Sequence, residues 1–305
     1  MRILILLLMF CCVSAVPDTP DCYSPGSILL FADHLFRQQD YLRAAYEYER
    51  YGILEDGADP AAREILMRAG KAFQCAGQYD RSLELFAELL STAVEDRVRE
   101  LAIYETGLSY FRMQRFEESL LFLQNQLLRN QPAEAITPDS AVLISADLMM
   151  LGRWQEAEEV LAGYSVPAAE SLREPAELSK QAELAELSEI AQEGSTMRRK
   201  SPLAAAVLSA LLPGSGKIYA GEVGDGLHSM VFIGLIGTLS VLSFRDDGID
   251  SVRGWIYASA GGVLYGGSIY GSIASARRYN RLREEALLEE VRQRIPQCSE
   301  FPLEP

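Results

Sequence analysis

Cysteine, histidine and basic residues are scarce in this sequence, and their scarcity excludes several classes of protein. The chain has five cysteines and two histidines among 305 residues, which is too few for a disulfide-built scaffold or a zinc module. Its 28 lysines and arginines are outnumbered by 43 aspartates and glutamates, which gives a net charge of −15. Because such a chain repels nucleic-acid phosphates, we expect no nucleic-acid partner.

Apolar residues, in contrast, make up 49% of the chain. This proportion is enough to build a packed core, so a disordered acidic protein is excluded. The length allows two domains of about 150 residues each. The sequence offers no nucleophile–base pair, metal-ligating cluster or cofactor-binding motif, so we expect no enzymatic activity, no cofactor and no metal.

The first 15 residues have the pattern of a secretory signal peptide. Arg2 precedes an apolar run over residues 3–13, and Ala15 is a small residue at the expected cleavage position. The run is too short and wrongly flanked for a membrane span. We therefore expect cleavage after Ala15; the alternatives are an uncleaved anchor or a lipoprotein acylated at Cys11, although the preceding Phe10 is bulky.

Three cysteines remain after such a cleavage: Cys22, Cys75 and Cys298. Cys75 lies on a helix that we expect to face the core in part, where a free buried cysteine is ordinary. Cys22 and Cys298 can pair only if both ends of the chain share one oxidising compartment. The odd number argues against a complete set of disulfides.

An internal repeat runs through the first half of the chain. Its aromatic anchors are spaced by 38, 37 and 38 residues, at Tyr41, Tyr79, Phe116 and Trp154. Three residues after each anchor comes a small residue: Ala44, Ser82, Ser119 and Ala157. Four residues further on comes a large one: Tyr48, Phe86, Leu123 and Leu161. Small and large positions at this spacing are typical of closely packed helix pairs that stack on their neighbours.

The pattern resembles the tetratricopeptide repeat over residues 25–164, with three or four residues more than the usual period of that family. The resemblance implies four pairs of antiparallel helices; the alternative is a generic antiparallel helical bundle. We expect residues 165–200 to form a capping helix, over about 175–192, and a linker. The predicted fold is therefore all-α, a helical-repeat solenoid followed by a transmembrane helical hairpin.

The resemblance also implies a concave groove lined by the first helix of each pair. Such a groove would be apolar and would suit an extended or helical segment of a protein partner. The residues predicted to line it are Phe36, Met67, Lys71, Tyr104, Leu108, Phe111 and Met149. The alternative for each of them is packing against the neighbouring repeat.

Hydrophobicity rises after Arg198-Arg199-Lys200, and residues 201–281 have the pattern of a membrane domain. Two apolar runs, 227–244 and 255–276, are long enough to cross a bilayer core of about 30 Å as a hairpin; a buried soluble hairpin is the alternative. Small residues at four-residue spacing let helices approach closely. We therefore expect the glycines of the second run to face another helix, at Gly262, Gly266 and Gly271. A polar tail, 282–305, follows.

A short glycine-rich motif opens this domain, and its defining residues are Pro213, Gly214, Gly216, Tyr219 and Gly221. It resembles a motif of small bacterial membrane domains that are built on a helix hairpin and are mostly of unassigned function. Proline and glycine at this point predict a broken helix that returns the backbone to the membrane interface.

The charges leave two topologies open. A cleaved signal places the repeats outside the cytoplasm, whereas Arg277 and Arg278 favour a cytoplasmic C-terminus. We expect three crossings, with residues 202–219 as a third, broken span. If that segment lies in the interface instead, both ends share one side of the membrane.

These patterns together predict a scaffold of the bacterial envelope without enzymatic activity. The repeats would lie outside the cytoplasm and bind a protein partner, and the hairpin would anchor them in the inner membrane. The alternative is an accessory subunit of a transporter or membrane enzyme that uses the hairpin.

Overall fold

The computed structural model describes residues 24–54, 60–92, 96–129, 137–163, 175–296 and 298. Within these ranges all regular secondary structure is α-helical, so the predicted all-α fold class is confirmed. The predicted signal peptide, with Cys11, and also Cys22 lie outside the described residues. The chain divides into two units: residues 1–180 with 295–305, and residues 181–294.

Thirteen helices lie within the described ranges. In chain order they are α1 (Pro25–Arg37), α2 (Tyr41–Leu54), α3 (Pro60–Cys75), α4 (Tyr79–Thr92), α5 (Asp96–Arg112), α6 (Phe116–Arg129), α7 (Pro138–Met150), α8 (Trp154–Gly163), α9 (Pro175–Thr196), α10 (Pro202–Leu211), α11 (Ser215–Ala220), α12 (Val223–Asp247) and α13 (Val252–Arg294).

The first unit is a helical repeat of four successive pairs. The first helix of each pair, here called an A helix, is α1, α3, α5 or α7, and the second, a B helix, is α2, α4, α6 or α8. Each helix from α1 to α7 packs against the next one along the chain. The A helices α3, α5 and α7 also contact one another in order. This nearest-neighbour packing is the arrangement that the repeat pattern predicts.

The repeated small and large residues lie in the core of these pairs. All four small positions, from Ala44 to Ala157, are fully buried. Glycine of the A helix meets the large residue of the B helix: a Cβ at Gly70 would lie 2.5 Å from Phe86 Cε1, and one at Gly107 would lie 2.9 Å from Leu123 Cδ2. The large side chain therefore fills the space that the missing Cβ leaves.

Each A helix ends in the same tight turn. The residue two before each aromatic anchor has a positive φ of 62°, 75°, 60° or 73°, at Gln39, Gly77, Gln114 and Gly152 respectively. The N–H of the next residue then bonds to a carbonyl five positions back, as Arg115 does to Tyr110 at 2.9 Å. This Schellman arrangement satisfies the carbonyls of the last helical turn and favours glycine.

Replacing Gln114 by glycine should therefore stabilise the repeat unit. A side chain in the left-handed region costs about 1–2 kcal/mol, part of which glycine loses again as chain entropy. We expect a net gain of up to about 1 kcal/mol in the free energy of unfolding, measured by urea titration followed by circular dichroism. Gln78→Gly is the control, because Gln78 lies in an equivalent turn without a positive φ. A gain at Gln78 equal to that at Gln114 would contradict the explanation.

The second unit begins within α9 and runs to the end of α13. Two ion pairs, Glu186–Arg294 and Glu193–Arg283, join α9 to the C-terminal part of α13, so these two segments run antiparallel. Helices α10, α11 and α12 all pack against α13. The sequence predicts that α9 caps the last repeat, but from Gln181 onward this helix groups with the second unit.

One helix of the described residues, α12, is long and apolar enough to cross a membrane by length and composition alone. Its 25 residues measure about 37 Å and contain the predicted span 227–244. The second predicted span, 255–276, lies within α13, which continues without a break for 43 residues.

Candidate functional site

The structure buries most of the residues predicted to line the groove. Six of the seven expose less than a tenth of their surface: Phe36, Met67, Lys71, Leu108, Phe111 and Met149. Phe36 packs edge-on against the Tyr41 ring at 5.1 Å, and Phe111 packs edge-on against Phe116 at 5.2 Å. Tyr104 is half-buried. These six buried side chains fill the space between the helices, and their predicted role in partner binding stays a prediction.

A buried set of polar side chains connects α3 with α5. We call it the polar row, and its members are Lys71, Gln74, Glu105, Ser109 and Arg112. Lys71 Nζ lies 3.3 Å from Glu105 Oε1. Gln74 Nε2 donates to the Glu105 carbonyl at 3.0 Å and to Ser109 Oγ at 2.9 Å. The row therefore joins two successive A helices through hydrogen bonds that are shielded from water.

Arg112 closes the polar row and reaches the C-terminal end of the chain. Its Nη1 donates to Gln74 Oε1 at 2.7 Å, and its Nη2 donates to the Pro296 carbonyl at 2.7 Å. Burial lowers the pKa of Arg112 from its ordinary value, and the nearby Glu105 carboxylate partly opposes this shift. The guanidinium is therefore a partly buried cation whose hydrogen-bond partners are neutral oxygens.

The residues that follow α13 belong to the first unit, and we call Ile295, Pro296 and Cys298 the C-terminal segment. Ile295 is buried. Cys298 forms a disulfide with Cys75 at the end of α3, with the two Cα atoms 5.6 Å apart. Cys75 is therefore not the free thiol that the sequence suggests, and Cys298 pairs with Cys75 rather than with Cys22.

Asp147 on α7 is a buried carboxylate to which no described residue donates a hydrogen bond. Its side chain is fully buried, and both oxygens are unpaired among the residues that the structure describes. Burial raises the pKa of Asp147 to about 8, and the nearby Ser119 hydroxyl opposes the shift only in part. That hydroxyl donates to the Gly107 carbonyl at 3.0 Å. Asp147 is thus best accommodated in its neutral form.

In the second unit, two glycines of the membrane motif lie against backbone. A Cβ at Gly216 would lie 1.9 Å from the Ala205 carbonyl oxygen. Gly214 has a φ of 87°, and a Cβ there would lie 2.1 Å from the Gly226 carbonyl oxygen. The motif therefore needs glycine at both positions because neighbouring main chain occupies the side-chain space.

Serine hydroxyls accept hydrogen bonds from backbone N–H groups of the motif. The Gly214 N–H donates to Ser268 Oγ, and the Gly216 N–H donates to Ser209 Oγ, both at 3.0 Å. Ser209 and Ser272 are joined by a 2.6 Å hydrogen bond between their hydroxyls. Pro213 lies in the turn between α10 and α11. The small residues that pack against the motif are thus serines of α13 and α10.

The other half of the motif lies beside the two ends of the predicted membrane domain, 201–281. Asn280 pairs with the backbone of Lys200, accepting from its N–H at 2.8 Å and donating to its carbonyl at 2.9 Å. Lys200 Nζ lies 3.8 Å from the ring centroid of Tyr279 and 5.8 Å from that of Tyr219. Gly221 ends α11 with a φ of 101°. Hydrogen bonds therefore join Lys200 and Asn280, which are 80 residues apart in sequence.

Two of the three glycines predicted to face another helix have no close neighbour in the described part of the chain. A Cβ at Gly262 or Gly266 would meet no described atom within 4 Å, and only Gly271 of the three has a close neighbour, Lys217 Cε at 3.1 Å. Contact with α12 is made instead at Gly254, where a Cβ would lie 2.6 Å from the Phe244 ring. Gly262 and Gly266 lie on a face of α13 that the described helices leave open.

Comparison with protein-family models and with curated proteins gives no match for this chain. The polar row and the C-terminal segment escaped the sequence analysis, although one signal was present. Cys75 and Arg112 each lie four residues before the aromatic anchor of their repeat. Equivalent positions on successive A helices are aligned in space, so a shared ligand could have been sought there.

Proposed function

We propose that this protein is a membrane-anchored interaction scaffold of the bacterial envelope, whose tetratricopeptide-like repeats bind a protein partner outside the cytoplasm. The observation that carries the proposal is the C-terminal segment held across two A helices, by Arg112 on α5 and Cys75 on α3. The A helices thus bind the main chain of a peptide segment, and these are the helices at which partner binding is expected.

The disulfide supports an even number of membrane crossings. Cys75 and Cys298 are covalently joined, so both lie on one side of any membrane that the intervening chain enters. The three crossings expected from the arginine positions are incompatible with this bond. Two crossings, by α12 and the apolar part of α13, satisfy it, with residues 202–219 at the interface.

The same bond supports an extracytoplasmic location for the repeats. Structural disulfides form and persist mainly outside the cytoplasm, where the predicted signal peptide would deliver this domain. The arginines near the membrane then lie outside as well, against their usual preference. Three basic residues there are paired with acids: Arg278 with Glu222, Arg283 with Glu193, and Arg199 with Glu284. This pairing reduces their weight as a topological signal.

The second unit is best explained as an anchor. Its internal polar groups bond to one another or to backbone, as Ser209, Ser268 and Ser272 do around the glycine motif. Groups used in this way stabilise a packed helical unit in an apolar environment. The structure offers no specific observation that favours the alternative of a transporter or enzyme subunit.

Site-specific photocrosslinking in cells tests the proposal. A photoreactive phenylalanine analogue in place of the half-buried Tyr104 should give a discrete protein adduct, because this side chain lies on the A helix that holds the C-terminal segment. The adduct is detected after membrane solubilisation and identified by mass spectrometry. The analogue at Leu264, exposed on α13, is the control and should give no such adduct. The scaffold proposal fails if neither position captures a protein.

A further inference from the structure

We infer that the C-terminal segment is a built-in ligand of the repeat unit, and that the Cys75–Cys298 disulfide locks it in place. Cys75 on α3 and Arg112 on α5 contact the segment, and Gln74 holds Arg112; we call these three residues the seat. The inference rests on the proposed function and deepens it, since it describes what occupies the binding side of the repeats and what frees it. Reduction of the disulfide is the event that makes the seat available.

The register of the segment on the repeats supports a ligand rather than a chance contact. Pro296 is bound at Arg112 of α5, and Cys298 is bound at Cys75 of α3, which are equivalent positions of successive repeats. Pro296 and Cys298 are two residues apart, a step of at most about 7 Å, and this is close to the separation of about 8–10 Å between packed helices. Cys298 also packs against the core cluster that contains Phe36 of α1. The segment thus contacts two consecutive A helices, α5 at Pro296 and α3 at Cys298.

The chemistry of the seat defines what it recognises. Arg112 is partly buried, and one of its two side-chain hydrogen bonds goes to Gln74 while the other goes to a main-chain carbonyl of the segment. Removing that carbonyl would leave a partly buried cation short of an acceptor, which is unfavourable. The seat therefore favours a peptide that places a carbonyl at Arg112 beside a buried apolar side chain, as Ile295 is here.

The Cys75–Cys298 disulfide adds one covalent bond to the few other contacts that hold the C-terminal segment on the seat. The disulfide closes a loop of 223 residues, and the tether gives the segment a high effective concentration at the seat. Both sulfur-bearing residues are only partly buried, so a small dithiol can reach them. The dithiol would supply two electrons and two protons and become a disulfide itself, while Cys75 and Cys298 become thiols. The segment is then held by the Arg112 hydrogen bond and by Ile295.

Disulfide trapping on the full-length protein in detergent tests the inference. The Cys298→Ser variant leaves Cys75 as a thiol and its own segment unlocked. A synthetic peptide of residues 292–305, carried as a mixed disulfide with thionitrobenzoate on its cysteine, is then added. The Cys75 thiolate attacks the peptide sulfur and thionitrobenzoate leaves. The rate of adduct formation at Cys75 is measured by mass spectrometry and compared with that of a scrambled peptide with the cysteine at the same position.

We expect the native peptide to react about tenfold faster than the scrambled one, because only the native order places a buried apolar side chain, that of Ile295, beside the carbonyl that accepts from the charged guanidinium. Arg112→Ala should remove this preference, and Arg115→Ala, which changes an exposed arginine three residues away, should leave it intact. Circular dichroism checks that each variant is folded. If Arg112→Ala does not fold, Arg112→Lys is used in its place, and we expect it to show an intermediate preference for the native peptide. Thionitrobenzoate reagent without peptide gives the intrinsic reactivity of Cys75.

Equal rates for the native and scrambled peptides would overturn the inference, because the disulfide alone would then position the segment. A preference that persists in Arg112→Ala would overturn the assignment of the seat. The trapping involves no partner protein, so its failure leaves the crosslinking test of the proposed function unaffected. A failed crosslink at Tyr104, in turn, leaves the trapping result standing.

Discussion

Asp147→Asn should make the protein more stable than the wild type at pH 8 and should remove much of the decrease in stability between pH 5 and pH 8. The carboxyl of Asp147 is fully buried and accepts no hydrogen bond from the residues that the structure describes, and burial raises its pKa from 3.8 to about 8. Asparagine has nearly the same shape as the protonated acid and stays neutral at every pH in this range.

The sign follows from proton uptake. Between about pH 4 and pH 8 the folded protein retains the Asp147 proton, whereas the unfolded chain has released it. The free energy of unfolding therefore falls as the pH rises, and the contribution that is complete below pH 4 is lost as the pH rises through 8. At about 1.4 kcal/mol per pKa unit, the three units from pH 5 to pH 8 correspond to at most about 4 kcal/mol.

Urea titrations at several pH values, followed by circular dichroism in detergent, measure this effect. Asp139→Asn is the matched control, since Asp139 lies on the same helix, α7, and its carboxylate is about half exposed and paired with Lys180. The control should reduce stability by no more than about 1 kcal/mol and leave the pH dependence of the wild type unchanged. Parallel pH profiles for the wild type and Asp147→Asn would show that the carboxyl is not buried as described.

Gly216→Ala should destabilise the second unit strongly. The added Cβ would lie 1.9 Å from the Ala205 carbonyl oxygen and 2.7 Å from Ser209 Oγ. The first of these atoms is backbone of α10 and cannot move aside without shifting the helix. The same displacement would break the hydrogen bond from the Gly216 N–H to Ser209. Overpacking of this kind costs about 1–3 kcal/mol or more.

Gly266→Ala is the matched control in the same unit. A Cβ at Gly266 meets nothing within 4 Å, and alanine is about 1 kcal/mol more favourable than glycine in a helix interior. Thermal unfolding of the full chain in detergent should therefore show a lower midpoint for Gly216→Ala and an unchanged or higher midpoint for Gly266→Ala. A larger loss at Gly266 than at Gly216 would reverse the assignment of which glycines are packed.

The helical repeat was predictable because its signal is local and recurs four times. An aromatic anchor, a small residue and a large residue at fixed offsets describe the inner face of each helix pair. Neighbouring pairs bury one another, so the pattern needs no information from distant parts of the chain. The burial of Ala44, Ser82, Ser119 and Ala157 follows from this periodicity.

The groove could not be predicted in the same way. A repeat pattern identifies which helix faces inward, but it does not reveal how closely neighbouring A helices pack or what lies against them. Phe36 and Phe111 are buried because adjacent rings cover them, and the Arg112 position is covered by a segment 184 residues away in sequence. The prediction of a free cysteine at position 75 was wrong for the same reason.

The sequence by itself determined the all-α class, the repeat and its period, and the glycine-rich motif, because each depends on residues close together along the chain. Only the tertiary structure decided which small residues pack and which cysteines pair. Gly262 and Gly266 have the spacing of a packing stripe, but the orientation of α13 directs Ser268 and Ser272 inward instead. Helix orientation and the pairing of Cys75 with Cys298 depend on contacts between distant segments, which local periodicity does not encode.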